Sequence, residues 1–446
     1  MLCRLLLLLI LVIATSVSAA EIFHPNCTVP VTPVNLVTSP EVRGTFDILW
    51  SSLFTLLVCT WNIQHLTVPT QKPRGTKSCW EGWKDICRGK GCKTFGAALN
   101  WNFKRVRRRV KWMACSLILP ELLVGLEFQN LMMASKSVEE MREYSQKDGV
   151  KWTLTHAFFA NMGGFVVRAK SESSENEQES PESGQLFYPT ASELYQARHT
   201  GIISKLLDIR AEEIEDKSKG DSFVKGAAVV QVLWLLIQII TRAFKGLPVS
   251  QLEIMVVAFS VCSFITYILC WSKPQHVLVP IEISGSAPLV REVGHCTSWC
   301  LASSPLVIMN SSPDPDIRQP PPNDLQFHAN FEALAEHGYS FIDDGITFAG
   351  VIFGALHCLA WNFQFPHSSE RLMWRLAAII STTSLPVFYL LTGVLRSRLS
   401  TWIAASVQIA YCISRLYLIA ESFRTLFFPP PELFISTWSS DIVHVA

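Results

Sequence analysis

Six ionisable side chains stand inside or at the edges of apolar runs of this 446-residue sequence: Glu121, Glu127, His156, His357, Arg415 and Glu421. An ionisable group at hydrocarbon depth is costly. It faces a helix-bundle interior, pairs with another such group, or lines a path for a proton, ion or lipid-like substrate. A buried Glu facing a His is a workable acid/base pair, which makes Glu121 and His357 the candidate catalytic residues. The same six groups, paired with one another, would only hold a bundle together. Spacing along the chain leaves both readings open, and with them whether the protein is an enzyme.

Other reaction signatures are missing from the sequence. It contains no G-x-x-x-x-G-K-[ST], no G-x-G-x-x-G after a strand, no G-x-S-x-G and no H-E-x-x-H. No span carries a D-x-x-x-D pair of the kind that holds Mg²⁺. Asp343 and Asp344 adjoin an apolar run, where carboxylates suit a helix N-terminus. Residues 295–300 read HCTSWC, half of a zinc site without a second pair. Of the 13 cysteines, Cys59, Cys115, Cys262, Cys270, Cys358 and Cys412 lie in apolar runs and act as small hydrophobes. No cofactor and no metal are expected.

The elements that must position these groups are transmembrane. Charged residues make up 17% of the chain and hydrophobic ones 49%, whereas soluble domains carry about 25% charged residues. Residues 1–20 form a short apolar run ending in ATSVSAA, which reads as a secretory signal peptide. Residues 21–45 would then be lumenal, with Asn26 in an N-x-[ST] sequon for glycosylation. Spans are expected at 46–65, 112–132, 226–242, 252–271, 346–363, 376–395 and 402–421. Residues 150–167 are a short, doubtful span, containing His156, Asn161 and Gly163-Gly164. Counting Lys and Arg on the two sides selects crossing there, by the positive-inside rule. The expected fold class is thus all-α: a polytopic integral membrane helical bundle of seven or eight spans.

Between the spans the composition shifts. Residues 66–111 carry 13 Lys or Arg, which places this loop in the cytosol. Its end, Lys104, Arg105, Arg107, Arg108, Arg109 and Lys111, is a patch for anionic lipid as well as a topology signal. Nothing points to nucleic acid, and protein partners are not legible. Residues 168–225 form a polar loop. Its acidic SESSENEQESPES run reads as a solvated spacer, and Ile202, Leu206, Ile209 and Ile214 fall near helical spacing. Residues 272–345 are a Pro-rich loop with a second sequon at Asn310, and residues 422–446 are a short tail.

The stretches RGTFDILWSSLFTLLVCTWNIQHLTVP, KWTLTHAFFANMGGF, EIEDKSKGDSFVK, TYILCWSKPQHV and FGALHCLAWNFQFPHSSERLMWR are distinctive in combination. Together they resemble a large uncharacterised family of multi-spanning fungal membrane proteins. The resemblance implies a fungal source and a multi-pass architecture, and transfers no catalytic residue. Some such proteins are encoded beside natural-product genes, which implies a place in secondary metabolism. The expected function is a non-enzymatic scaffold, sensor or regulator in the endoplasmic reticulum or plasma membrane. The alternatives are a membrane-embedded enzyme acting on an apolar or lipid-like substrate, with a transporter or channel third.

Overall fold

The computed structural model describes residues 43–69, 93–169, 185–201, 203–218, 222–283, 341–394, 398–435 and 437. The signal segment, Asn26, the HCTSWC run and Asn310 lie outside the described residues. Among the described residues the chain is mostly helical. In order it forms α1 (Thr45–Asn62), α2 (Lys93–Ile118), α3 (Pro120–Glu140), α4 (Arg142–Asp148) and α5 (Leu154–Asn161). Strands β1 (Phe165–Ala169) and β2 (Gln185–Phe187) follow, then α6 (Ala191–His199), α7 (Ala211–Asp216), α8 (Ser222–Phe244) and α9 (Gln251–Leu269). Strand β3 (Ile281–Ile283) precedes α10 (Phe341–His357), α11 (Ser368–Val394) and α12 (Arg398–Arg424).

Helix α9 is the core of the bundle. Its apolar residues fall on every side, and a helix of that kind is stable only when surrounded. It packs against α1, α3, α8, α10 and α12. Ser250 starts it: the hydroxyl accepts from the Glu253 N–H at 3.2 Å, and the Glu253 carboxylate accepts from the Ser250 N–H at 3.0 Å. The same carboxylate pairs with Arg43, just ahead of α1. Arg242, near the end of α8, donates to the carbonyls of Pro248 (2.9 Å), Leu433 (2.9 Å) and Ile435 (2.8 Å). At the other end of α9, Lys273 bonds Glu127 of α3, and Gln275 donates to the Asn62 carbonyl at 2.6 Å. Helices α1 and α9 therefore run parallel, and α8 runs against them.

The outward faces of the bundle are apolar. Trp50 and Leu57 on α1, Leu376 and Leu390 on α11, and Ile409 and Ile413 on α12 are all exposed. Among the described residues three helices are long and apolar enough to cross a membrane: Gln251–Leu269, Phe341–Ala360 and Ser368–Leu391. The bent pair formed by α2 and α3 makes a fourth if it counts as one span. These apolar helices are compatible with a membrane protein.

A second core caps one end of the bundle. Val68, Trp152, Phe158, Phe159, Phe165 and Val277 are among its buried residues. A three-stranded sheet lies across it in the order β2-β1-β3, with Val167 opposite Phe187 in the antiparallel pair and Phe165 opposite Ile281 in the parallel one. The parallel connection runs through α8 and α9, so the sheet closes the bundle helices back onto the cap.

Three sequence expectations are corrected by these elements. Residues 150–167 do not form a spanning helix: α5 has eight residues, about 12 Å of rise. Gly163, at a φ of 77°, then turns the chain into β1. Residues 112–132 are not one helix, because α2 and α3 meet at a bend of 109°. Leu206 and Ile214 do not share one amphipathic helix. Leu206 lies in irregular chain between α6 and α7, and both side chains are buried in the cap core. The all-α expectation also gains a small sheet.

Two packing features give tests. A Cβ on Gly354 would sit 2.5 Å from the Thr382 backbone nitrogen, whereas one on Gly226 meets nothing within 4 Å. Gly354→Ala should lower stability by about 1–3 kcal/mol through overpacking. Gly226→Ala should leave it unchanged or raise it by up to about 1 kcal/mol through helix propensity. Thermal unfolding of the two variants in detergent checks the contrast.

In the cap, Arg198 donates to both oxygens of Asp148 (2.9 and 2.8 Å), and the Leu206 N–H adds a third bond at 2.8 Å. The Arg198 hydrogen bonds above all hold that carboxyl down at about 2. A folded value below the unfolded one, about 3.9, stabilises the cap fully at higher pH and is lost as pH falls through the folded value. Amide exchange over residues 191–214, corrected for intrinsic rate, should rise between about pH 4 and pH 2. Asp148→Asn should raise it already at neutral pH and flatten the profile.

Candidate functional site

Glu121 owes its position to the proline before it. The residue preceding a proline is pushed out of helical conformation, and Leu119 sits at φ −134° and ψ 70°. Pro120 opens α3, where its missing N–H leaves no helical bond unmade. The break therefore joins the C-terminus of α2, whose Leu117 and Ile118 are exposed, to the buried N-terminus of α3. One end presents unsatisfied carbonyls with partial negative charge, the other N–H groups with partial positive charge.

Arg415 and Glu121 answer those two ends. Arg415 Nη2 donates to the Ile118 carbonyl at 3.2 Å and to Glu121 Oε2 at 3.4 Å. The Tyr411 hydroxyl, one turn earlier on α12, donates to the other Glu121 oxygen. The guanidinium carbon of Arg415 lies 3.5 Å from the centroid of the Phe353 ring, a cation–π contact. Arg415 is 1% exposed and Glu121 2%. A cation at the carbonyl end and an anion at the N–H end make the break electrostatically self-consistent.

His357 belongs to the neighbouring layer. Its ring stacks at 4.6 Å on Phe353, and Nδ1 bonds the Phe353 carbonyl at 2.8 Å. A carbonyl only accepts, so Nδ1 carries the hydrogen and Nε2 of the neutral ring is left as an acceptor. That Nε2 is buried without a hydrogen-bond partner. No hydrogen bond joins it to Glu121. Arg415, bonded to Glu121, and Phe353, stacked on both Arg415 and His357, form the contact path between the two. The acid/base pair that the sequence suggests is not assembled as a direct contact.

The other candidates are engaged elsewhere. Glu127 accepts from Lys273 at 2.8 and 2.7 Å and from Asn130 at 3.0 Å, at the cap end of the bundle. Glu421 accepts from Arg424 at 2.9 and 2.8 Å at the opposite end, where Arg424 also pairs with Glu370 at 2.6 Å. His156 joins two cap segments: Nε2 meets the Ile209 carbonyl at 2.8 Å, while Nδ1 meets the Thr153 hydroxyl at 2.8 Å and accepts from its N–H at 3.3 Å. Among the described residues no group of three or more His, Cys, Asp or Glu is placed to hold a metal.

Of the basic run, Arg109 stacks on Trp61 at 4.4 Å and Arg108 donates to the Thr67 carbonyl at 3.2 Å. Lys104, Arg107 and Lys111 are exposed. Phe103, Val106, Val110 and Leu117 form an exposed apolar stripe along the same helix. The sequence reading missed Tyr411 as a partner of Glu121 and Lys273 as the partner of Glu127. Only the i, i+4 spacing of Tyr411 and Arg415 hinted that they share one face.

Removing one partner of a buried ion pair leaves an uncompensated charge, a loss of about 3–5 kcal/mol. Arg415→Met should therefore destabilise the protein strongly, and Glu121→Gln less, because Tyr411 still finds an amide oxygen. The double variant should recover part of the Arg415→Met loss. Detergent unfolding curves for the four proteins measure that coupling.

Residues 97–298 match the profile of a family of unknown function (DUF8562), a stretch that includes most of α2 and runs past β3. No curated protein and no solved structure is matched by the chain.

Proposed function

We propose that the chain is an integral membrane protein of the secretory pathway, entering through a cleaved signal and acting as a scaffold, sensor or regulator with no reaction of its own. One observation carries this reading. Five glutamates within and beside the long helices are held by cations: Glu121 by Arg415, Glu253 by Arg43, Glu127 by Lys273, and Glu370 and Glu421 by Arg424. A carboxylate locked this way is a fastening, its charge already matched by a fixed cation. The exposed apolar faces of α1, α11 and α12 suit lipid.

The contacts also support an orientation. Arg43, Glu253, Arg242 and Glu370 mark one side; Asn62, Glu127, Lys273 and the cap mark the other. Six helices, α1 and α8–α12, then cross, while α2 and α3 dip in from the cap side and return. The basic α2 lies along that cytosolic face, apolar stripe toward lipid and Lys104, Arg107 and Lys111 toward anionic headgroups. Asn26 faces the lumen and Asn310 the cytosol.

A second reading, a membrane-embedded enzyme for a lipid-like substrate, rests on the unpartnered, buried Nε2 of His357. A null strain restored with wild type, Glu121→Gln or His357→Ala separates the two. Full rescue of the lipid and small-molecule profile by both variants supports the non-enzymatic reading. Accumulation of one precursor with well-expressed His357→Ala protein sinks it. Glycosidase treatment should lower the apparent mass through loss of a glycan at Asn26 alone. Modification at Asn310 would overturn the orientation.

A further inference from the structure

A small, partly open cavity of about 30 Å³ lies where α2 and α3 meet the chain that leaves α1. Its polar floor is unusual for a bundle interior. Gln64 and Asn130 both line it, both residues are 3% exposed, and neither Gln64 Oε1 nor Asn130 Oδ1 has a hydrogen-bond partner. Their amide nitrogens are committed: Gln64 donates to the Thr60 and Arg109 carbonyls at 3.1 and 3.3 Å, and Asn130 to Glu127 at 3.0 Å. Neither amide can be turned over without losing those bonds. Two buried acceptors are thus left waiting for a donor, at about 1–3 kcal/mol each while they wait.

The charge in the pocket is already balanced. Lys273 donates to both Glu127 oxygens, so an incoming ion would leave a buried charge uncompensated. Leu66, Trp112 and Leu123 line the same pocket but are only partly buried, and they form an apolar mouth. The space inside suits a hydroxyl-sized group rather than a whole headgroup.

We infer that this pocket binds the hydroxyl of a neutral amphiphilic alcohol, with the hydrogen donated to Gln64 or Asn130 and the carbon skeleton leaving through the mouth into lipid. The inference rests on the membrane placement proposed above, because only lipid delivers such a skeleton to Trp112 and Leu123. A sterol and a long-chain aliphatic alcohol share this chemistry.

The test uses the full chain in nanodiscs, photolabelled separately with a diazirine-bearing sterol and a diazirine-bearing long-chain alcohol, with labelled peptides mapped by mass spectrometry. Labelling within residues 112–130 is expected in one arm or both, and the arms identify the source. The unlabelled alcohol should compete better than its methyl ether by about tenfold or more, roughly the worth of one net hydrogen bond. Gln64→Leu should weaken this preference, and Leu123→Trp should block labelling by filling the mouth. Should either variant fail to fold, the ether comparison still decides. Equal competition by alcohol and ether, or no label in residues 112–130, overturns the inference and leaves water as the occupant. Resistance of the chain to alkaline extraction from membranes is scored separately, so that failure of the placement is distinguishable from failure of the pocket.

Discussion

The bundle depends on joining two helix ends beside the buried pair Glu121 and Arg415. A broken helix exposes carbonyls on one side of the break and N–H groups on the other, and each must be satisfied locally. Arg415 serves the carbonyl side through Ile118, and Glu121 brings a carboxylate to the N–H side. Their mutual attraction, the Tyr411 hydroxyl and the Phe353 ring face hold both charges in place. Without that arrangement the Ile118 carbonyl and the buried Glu121 would both lose Arg415 as a partner where α2 gives way to α3.

The same constraint explains why, on α12, ionisable residues lie inside and large apolar ones outside. Trp402, Ile409 and Ile413 of α12 are exposed, while Tyr411 and Arg415 of the same helix are buried. Such a helix would be inside-out in water. In hydrocarbon it is the economical arrangement, since apolar surface gains nothing by burial there and a charge gains everything by finding its partner. The glycines follow the same rule from the packing side. Gly125 meets Gly345 across α3 and α10, and Gly354 meets Thr382 across α10 and α11, bringing backbones close where no hydrophobic force would draw them.

The long apolar helices were legible because a run such as α9 reads the same from every side and needs no partner to be recognised. The cap was not. His156, Phe158 and Phe159 look like the middle of a short span, yet the shortness was the decisive fact. Thr153 and His156 cap a two-turn helix, and Gly163-Gly164 release the chain into a strand that pairs with β2 about twenty residues on and with β3 more than a hundred residues away. Pairing of that kind leaves no periodic trace near its own segment. Glu121 was legible as an unusual buried carboxylate, but its partners lie 290 and 294 residues along the chain. Type alone marks the charge; only the fold supplies the counter-charge.

The charge asymmetry that suggested a crossing at residues 150–167 was sound evidence attached to the wrong element. Positive-inside reasoning requires an even number of crossings between the basic loop and the basic stretch after residue 200. Two crossings satisfy it, through residues 112–132 and then 150–167. So does none, if the first element enters and turns back. Parity is all that a loop-charge count can fix. Under the orientation proposed above the number is zero: Pro120 breaks the helix where Arg415 donates to the Ile118 carbonyl, and α3 leaves that break at a bend of 109°.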